Sequence, residues 1–174
     1  MADFQTCYTF MEDNEDSQNL HKQVTDRCPP GCLGPCYAIS GINSGAFPKQ
    51  FAAIAALPQA SRGPAVQQFY QGEFWNRWLG ALLSTPLGMR VFDACVNQGQ
   101  RTGVEELQQA VNSVNAAGSQ IEEDGAWGSV TEAAANACDP DVLLAAFQAI
   151  RYAHYQEHDA GNPALPALLA RAMK

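Results

Sequence analysis

A chain of 174 residues with 47% hydrophobic composition is long enough to enclose one sizeable core and too apolar to stay disordered. Its 18 acidic residues against 10 basic ones, a net charge of -8, exclude nucleic acid as the expected partner, because neutralising phosphates requires clustered Lys and Arg. Apolar runs such as Phe51 to Leu57 and Val142 to Ile150 fall well short of the roughly 20 residues that cross a bilayer, so no membrane insertion is expected.

The N terminus, Met-Ala-Asp-Phe-Gln-Thr, has neither the basic start nor the apolar stretch of a secretory signal. The expectation is a protein made in the cytoplasm and carried out by another route. Phe4, Cys7, Tyr8 and Met11 recur at helical spacing and predict a short first helix. It ends in Phe10 to Asp16, where Glu12, Asp13, Glu15 and Asp16 crowd together. The C-terminal end of a helix dipole repels anions by roughly 0.3–1 kcal/mol each, so this is a costly place for four carboxylates. A carboxylate crowded among like charges holds its proton more readily, which suits a general acid. The plainer reading is a solvated acidic turn.

Residues 17–45 carry Pro-Pro-Gly, Leu-Gly-Pro and Gly-Ile-Asn-Ser-Gly, the signals of a long irregular segment, with a short strand expected at Tyr37 to Ile42. Cys28, Cys32 and Cys36 lie in it at four-residue intervals. A disulfide such as Cys32 to Cys36, or one from this loop back to Cys7, would staple a stretch with little apolar content. A zinc site built on Cys28, Cys32 and Cys36 with Cys7 or a His is the alternative, although its spacing is looser than the usual zinc pair. Cys95 and Cys138 sit in apolar helical patterns and are expected as free thiols. His21, His154 and His158 show no ligand spacing.

From Pro48 onward the pattern is helical. One helix runs from Pro48 to Leu57, and a second from Pro64 through Val66, Phe69, Tyr70, Phe74, Trp78 and Leu82. Thr85-Pro86 opens a third that Gly99 stops, and Val104 to Val114 forms a fourth. Asp139 caps a fifth with Pro140 at its first position, and the last covers about Asn162 to Met173. The fold class is therefore mainly α, a single domain with a long irregular loop or small β element near residues 17–45. Long loops in compact domains are usually functional, and this one adjoins the acidic helix end.

Phe74-Trp75-Asn76-Arg77-Trp78-Leu79, Pro86 through Gly99, Leu107-Gln108-Gln109-Ala110-Val111 and Asp124-Gly125-Ala126-Trp127-Gly128, in that order, resemble the glycoside hydrolase family 108 muramidases over most of the chain. The family carries a tryptophan-bearing helix, an F-D-x-x-V-N-x-G helix and a D-G-x-W-G-P-x-T turn; Ser129 stands here in place of its Pro. The resemblance implies a lysozyme-like fold, with a catalytic part at residues 1–60 and a helical part at 61–174 similar to the family's peptidoglycan-binding region. The family's N-terminal motif is an E-G-G-Y glutamate, a D-x-G-G aspartate and a T-x-x-G-I segment. The Gly-Gly pair is absent here. Glu15 takes the glutamate's place, one helical turn beyond Met11 and so on the same face, with Glu12 as the alternative acid. Asp26, in Val24-Thr25-Asp26, is the counterpart of the aspartate. Ala38-Ile39-Ser40-Gly41-Ile42 resembles T-x-x-G-I, with Ser40 supplying a hydroxyl, and the Cys28 to Cys36 stretch is an insertion.

Breaking a β-1,4 glycosidic bond needs an acid to protonate the leaving oxygen and a second group to stabilise the oxocarbenium ion or activate water. The resemblance assigns Glu15 the acid role, Asp26 the second carboxylate and Ser40 the water-holding hydroxyl. Trp75, Trp127 and Asn43 are the substrate-binding candidates, although Trp75 and Trp78 also fit core packing on an apolar helix; Asp93 and Asn97 fit a bracing role. The implied function is a peptidoglycan muramidase that needs no cofactor. Its setting would be the periplasm of a target bacterium, reached as a type VI secretion effector or after phage lysis. The implied partners are glycan strands and a cognate immunity protein that occludes the cleft. A non-catalytic peptidoglycan-binding protein of the same fold, or a zinc-stabilised domain, remains open at this point.

Overall fold

The computed structural model describes residues 1–15, 24–26, 37–76, 79–115 and 119–174. The elements are α1 (Phe4–Glu15), β1 (Thr25–Asp26), β2 (Tyr37–Ile39), β3 (Ile42–Asn43), α2 (Pro48–Ala55), α3 (Arg62–Tyr70), α4 (Thr85–Asn97), α5 (Gln100–Val114), α6 (Ser129–Ala137), α7 (Pro140–His158) and α8 (Leu165–Met173). The architecture is mainly helical with one small sheet, as the sequence leads one to expect.

Helix α4 organises the packing. Its two faces read Leu87, Val91, Phe92, Ala94 and Cys95, all buried, and it lies against α1, α5 and α7. It starts where Ser84 Oγ accepts from the Leu87 amide at 3.4 Å, with proline in the first turn. Helix α7 starts in the same way: Asp139 Oδ1 accepts from the amides of Asp141 and Val142 at 3.0 and 3.1 Å, satisfying donors that the helix itself leaves unpaired. Helices α4 and α5 approach closely at Gly103, where a Cβ would lie 2.8 Å from the Cys95 amide nitrogen. Rings of Phe4, Trp75, Phe92 and Tyr70 meet at the other side of α4, with Trp75 and Phe92 centroids 5.8 Å apart and Phe4 and Trp75 5.6 Å apart. Each such buried ring contributes about 1.5–3 kcal/mol by removal from water. One core runs from Met11 and Ile39 through Phe92 to Phe147, so residues on both sides of position 60 share it.

Two expectations need correction. The helix expected from Pro64 to Leu82 is interrupted: α3 passes into a π-helical turn at Gln71–Trp75, and a separate 3-10 turn covers Leu79–Ala81. The wide turn carries Phe74 and Trp75, both buried, and a local π turn of this kind leaves no mark on a 3.6-residue apolar pattern. Helix α6 was not expected, because Ser-Val-Thr-Glu-Ala-Ala-Ala-Asn-Ala presents no stripe of large apolar residues; only Thr131 and Ala135 are buried.

The sheet is antiparallel in the order β1-β2-β3, pairing Thr25 with Ala38, Asp26 with Tyr37, and Ile39 with Ile42. Ser40 and Gly41 join β2 to β3 with φ of 45° and 80°, the positive values that a two-residue hairpin loop requires. Ile39 and Ile42 are buried on either side, which fixes the loop against the helices.

Candidate functional site

Glu15 is the last residue of α1. Met11, one turn earlier, is 1% exposed, so the inward face of the helix carries the Glu15 side chain toward the body of the protein. Its carboxylate is largely covered and has two distinct neighbourhoods. Oε1 accepts from Arg171 Nη2 at 2.7 Å. Oε2 faces the β2–β3 loop: a Cβ on Gly41 would lie 2.8 Å from Glu15 Oε2 and 2.9 Å from Tyr70 Oη. The loop thus approaches Glu15 to a distance that any side chain at position 41 would prevent. Tyr70 Oη donates to the Ser40 carbonyl at 2.6 Å and fixes the loop from the α3 side. Burial, followed by the nearby Glu15 carboxylate, pushes the Tyr70 hydroxyl well above its ordinary value, so it remains a donor.

Arg171 comes from the last turn of α8. Its Nε and Nη2 both donate to Asp93, at 2.9 Å to Oδ2 and 2.7 Å to Oδ1. Asp93 is fully buried and also pairs with Arg151 Nη2 at 2.8 Å, another fully buried side chain. Asn14 Nδ2 adds a bond to Asp93 Oδ1 at 3.1 Å. Burial alone would raise the Asp93 carboxyl, but the hydrogen bonds from Arg171 and the Arg151 charge outweigh it and hold it below the usual carboxylate range. Arg171 itself is shifted upward: burial opposes its charge, and the bonds to Asp93 more than compensate. Behind this group Arg151 Nε donates to Gln98 Oε1 at 3.0 Å, and Gln98 Nε2 donates to Glu106 Oε1 at 2.7 Å. A polar chain therefore crosses the core from Glu106 on α5 to Glu15 on α1.

The other residues singled out from the sequence divide in two. Ser40 is at the site: its Oγ is buried, with no hydrogen-bond partner among the described residues, beside the glycine that contacts Glu15. Glu12, three residues before Glu15 on α1, accepts from Tyr8 Oη at 2.9 Å through Oε1. The Asp26 backbone pairs with Tyr37 at the sheet edge; its side chain lies outside the described structure. Asn43 serves the turn that follows it, Oδ1 accepting from the amides of Gly45 and Ala46 at 2.6 and 3.3 Å. Trp75 is 6% exposed among Phe4 and Phe92, a core position with no face free for a sugar ring. Trp127 lines a separate cavity of about 300 Å³ with Gln108, Asp124 and Thr131, and none of the Glu15 partners borders it. Asn97 braces α7, its Oδ1 accepting from Tyr155 Oη at 2.7 Å.

The cysteine expectations come out unevenly. Cys7, Cys95 and Cys138 are free thiols, as expected for Cys95 and Cys138, and this corrects the pairing of the loop with Cys7. Burial pushes the Cys7 thiol up to about 12, which disfavours the thiolate that a zinc ligand must be. Cys28, Cys32, Cys36, His21 and Trp78 lie outside the described residues. Among the described residues no group of three His, Cys, Asp or Glu side chains converges to hold a metal ion.

Arg171, Tyr70 and Arg151 were not identified from the sequence. Arg171 lies 156 positions from Glu15, in a helix whose pattern otherwise reads only as apolar packing. Its one local signal is a single cation in the last turn, where the helix dipole favours positive charge.

The profile of the family Glycosyl hydrolase 108 matches residues 39–99. That segment begins in β2, contains the Ser40–Gly41 loop, Tyr70 and Asp93, and ends beyond α4; Glu15 and Arg171 lie outside it. No curated protein matches the chain. Among solved structures, that of Brucella abortus SagA is similar in fold, with 17% sequence identity, 95% of this chain and 94% of that chain covered, and a TM-score of 0.58.

Proposed function

We propose that the chain, whose residues 39–99 match the Glycosyl hydrolase 108 family, is a muramidase in which Glu15 is the general acid. The bond proposed is the β-1,4 linkage between N-acetylmuramic acid and N-acetylglucosamine in peptidoglycan. One observation supports this above the others: the Glu15 carboxylate stands at the end of α1 with Oε2 against the Gly41 loop and Oε1 on Arg171. Protonated Glu15 delivers its proton to the leaving glycosidic oxygen as the C1–O bond breaks. The carboxylate so formed is left 2.7 Å from a guanidinium, an arrangement that stabilises the charge developing on the acid.

Asp26 is the second carboxylate in this reading, placed on the strand that pairs with β2, where it polarises the attacking water. Ser40 Oγ, buried and without a partner among the described residues, is suited to hold that water. The separation of the Glu15 and Asp26 carboxyl groups sets inversion, at about 6.5–9.5 Å, or retention, at about 5–5.5 Å. The biological setting we propose is the periplasm of a target bacterium, entered as a secreted antibacterial effector. A cognate immunity protein would then occlude the Glu15 cleft. A basic partner is compatible with the net charge of -8.

The test is digestion of purified sacculi, borohydride reduction and mass spectrometry of the released fragments. Ends in reduced N-acetylmuramic acid are expected. Ends in reduced N-acetylglucosamine would move the activity to the other glycosidic bond, and binding to sacculi with no release would establish a non-catalytic peptidoglycan-binding protein.

A further inference from the structure

We infer that Arg171 is a positioning residue for Glu15, held in place by Asp93 and Arg151; this rests on the reading of Glu15 as the acid. The bonding is asymmetric. Arg171 uses Nε and Nη2 on Asp93 and only the same Nη2 on Glu15. The guanidinium is therefore anchored on a buried carboxylate and stays in place when Glu15 gains or gives up its proton. A planar fork makes that division possible, whereas an ammonium is a point charge that would follow one partner.

Charge balance gives the same result. Asp93 already has a full counter-ion in Arg151 at 2.8 Å, with both side chains fully buried. Adding Arg171 gives this group a net positive charge, which the Glu15 carboxylate completes. A second, largely covered cation on an already neutralised Asp93 costs desolvation, and its remaining contact is with Glu15. Helix α8 is also tied to α1 beside it, with Lys174 Nζ donating to Asn14 Oδ1 at 2.6 Å and Ala172 fully buried.

Among the described residues the charged and titratable groups around Glu15 are Arg171 from α8, in direct contact, Tyr70 from α3 beside the Gly41 loop, Glu12 one turn back on α1, and Asp93 and Arg151 from α4 and α7 behind Arg171. Arg171 is the cation in direct contact. Its removal withdraws the positive charge nearest the carboxylate while Asp93 keeps Arg151.

The experiment is a ¹³C NMR titration of the Glu15 side-chain carboxyl in the full chain, for the parent, Arg171→Met and Arg171→Lys, alongside the pH profile of sacculus digestion. The midpoint is expected to rise by at least about one pH unit in Arg171→Met, the size of shift that an adjacent opposite charge produces. The basic limb of the activity profile moves with it. Arg171→Lys keeps most of the parent midpoint and loses activity, because the charge is retained without the fork. An unchanged midpoint in folded Arg171→Met overturns the inference, as does full activity in both variants. If Arg171→Met does not fold, the lysine variant decides: parent-like activity then refutes positioning. A shifted midpoint in a chain that cleaves no sacculi would leave Arg171 coupled to Glu15 and remove the muramidase reading instead.

Discussion

Glu106 gives a prediction whose size follows from its surroundings. It lies on α5, 2% exposed; Oε1 accepts from Gln98 and Oε2 has no hydrogen-bond partner among the described residues. Burial pushes its carboxyl up from the ordinary 4.5 to about 7, against the Gln98 hydrogen bond and the Arg151 charge. A folded-state value above the unfolded one means that folded chains hold this proton while unfolded chains have released it. Stability from this group is then fully present below pH 4.5 and lost as pH rises to about 7. The shift corresponds to about 3 kcal/mol. Glu106→Gln replaces the carboxyl by a neutral group whose carbonyl still accepts from Gln98. The variant is expected to match the parent near pH 4.5 and to exceed it above neutrality by up to about 3 kcal/mol. Urea unfolding at a series of pH values reads this directly. Parallel pH curves for the two proteins would show that Glu106 does not titrate with a raised value, and the reasoning would fail.

Three further outcomes are expected. Gly41→Ala places a methyl 2.8 Å from Glu15 Oε2 at φ 80°, so it should cost about 1–3 kcal/mol in chemical denaturation. Displacing the acid in this way should lower sacculus digestion by on the order of a hundredfold. Asp139→Ala removes the α7 cap and should lower stability by about 1 kcal/mol with no change in digestion rate per folded molecule. Expression directed to the bacterial periplasm should lyse cells while cytoplasmic expression is tolerated; equal toxicity in both compartments would point away from the cell wall.

The sequence made the helices legible where a cap and a periodic stripe coincide, as at Asp139-Pro140 and Thr85-Pro86. It failed at α6, which packs through small residues and gives periodicity nothing large to detect. It failed again at the π-helical turn of Gln71–Trp75, because one widened turn leaves the spacing of apolar residues on either side readable as a continuous helix. Glu15 was reachable because its relation to Met11 is local, one turn on one face. Arg171 was not, because it meets Glu15 through a contact across 156 positions, and no spacing rule spans that separation. Trp75 illustrates the converse limit: an indole that stacks on sugars and one that fills a core have the same sequence signature, and only burial separates them.

The most direct test of the account is digestion of purified sacculi by the parent and by Glu15→Gln, each verified as folded by its urea transition. Glu15 accepts one bond from Arg171, which the amide oxygen of glutamine also accepts, so the substitution removes the transferable proton and leaves the contact. The account predicts muropeptide release by the parent and none by Glu15→Gln, with Glu12→Gln retaining activity. Release by folded Glu15→Gln at the parent's rate, together with its loss in Glu12→Gln, would contradict it and move the acid one turn back along α1.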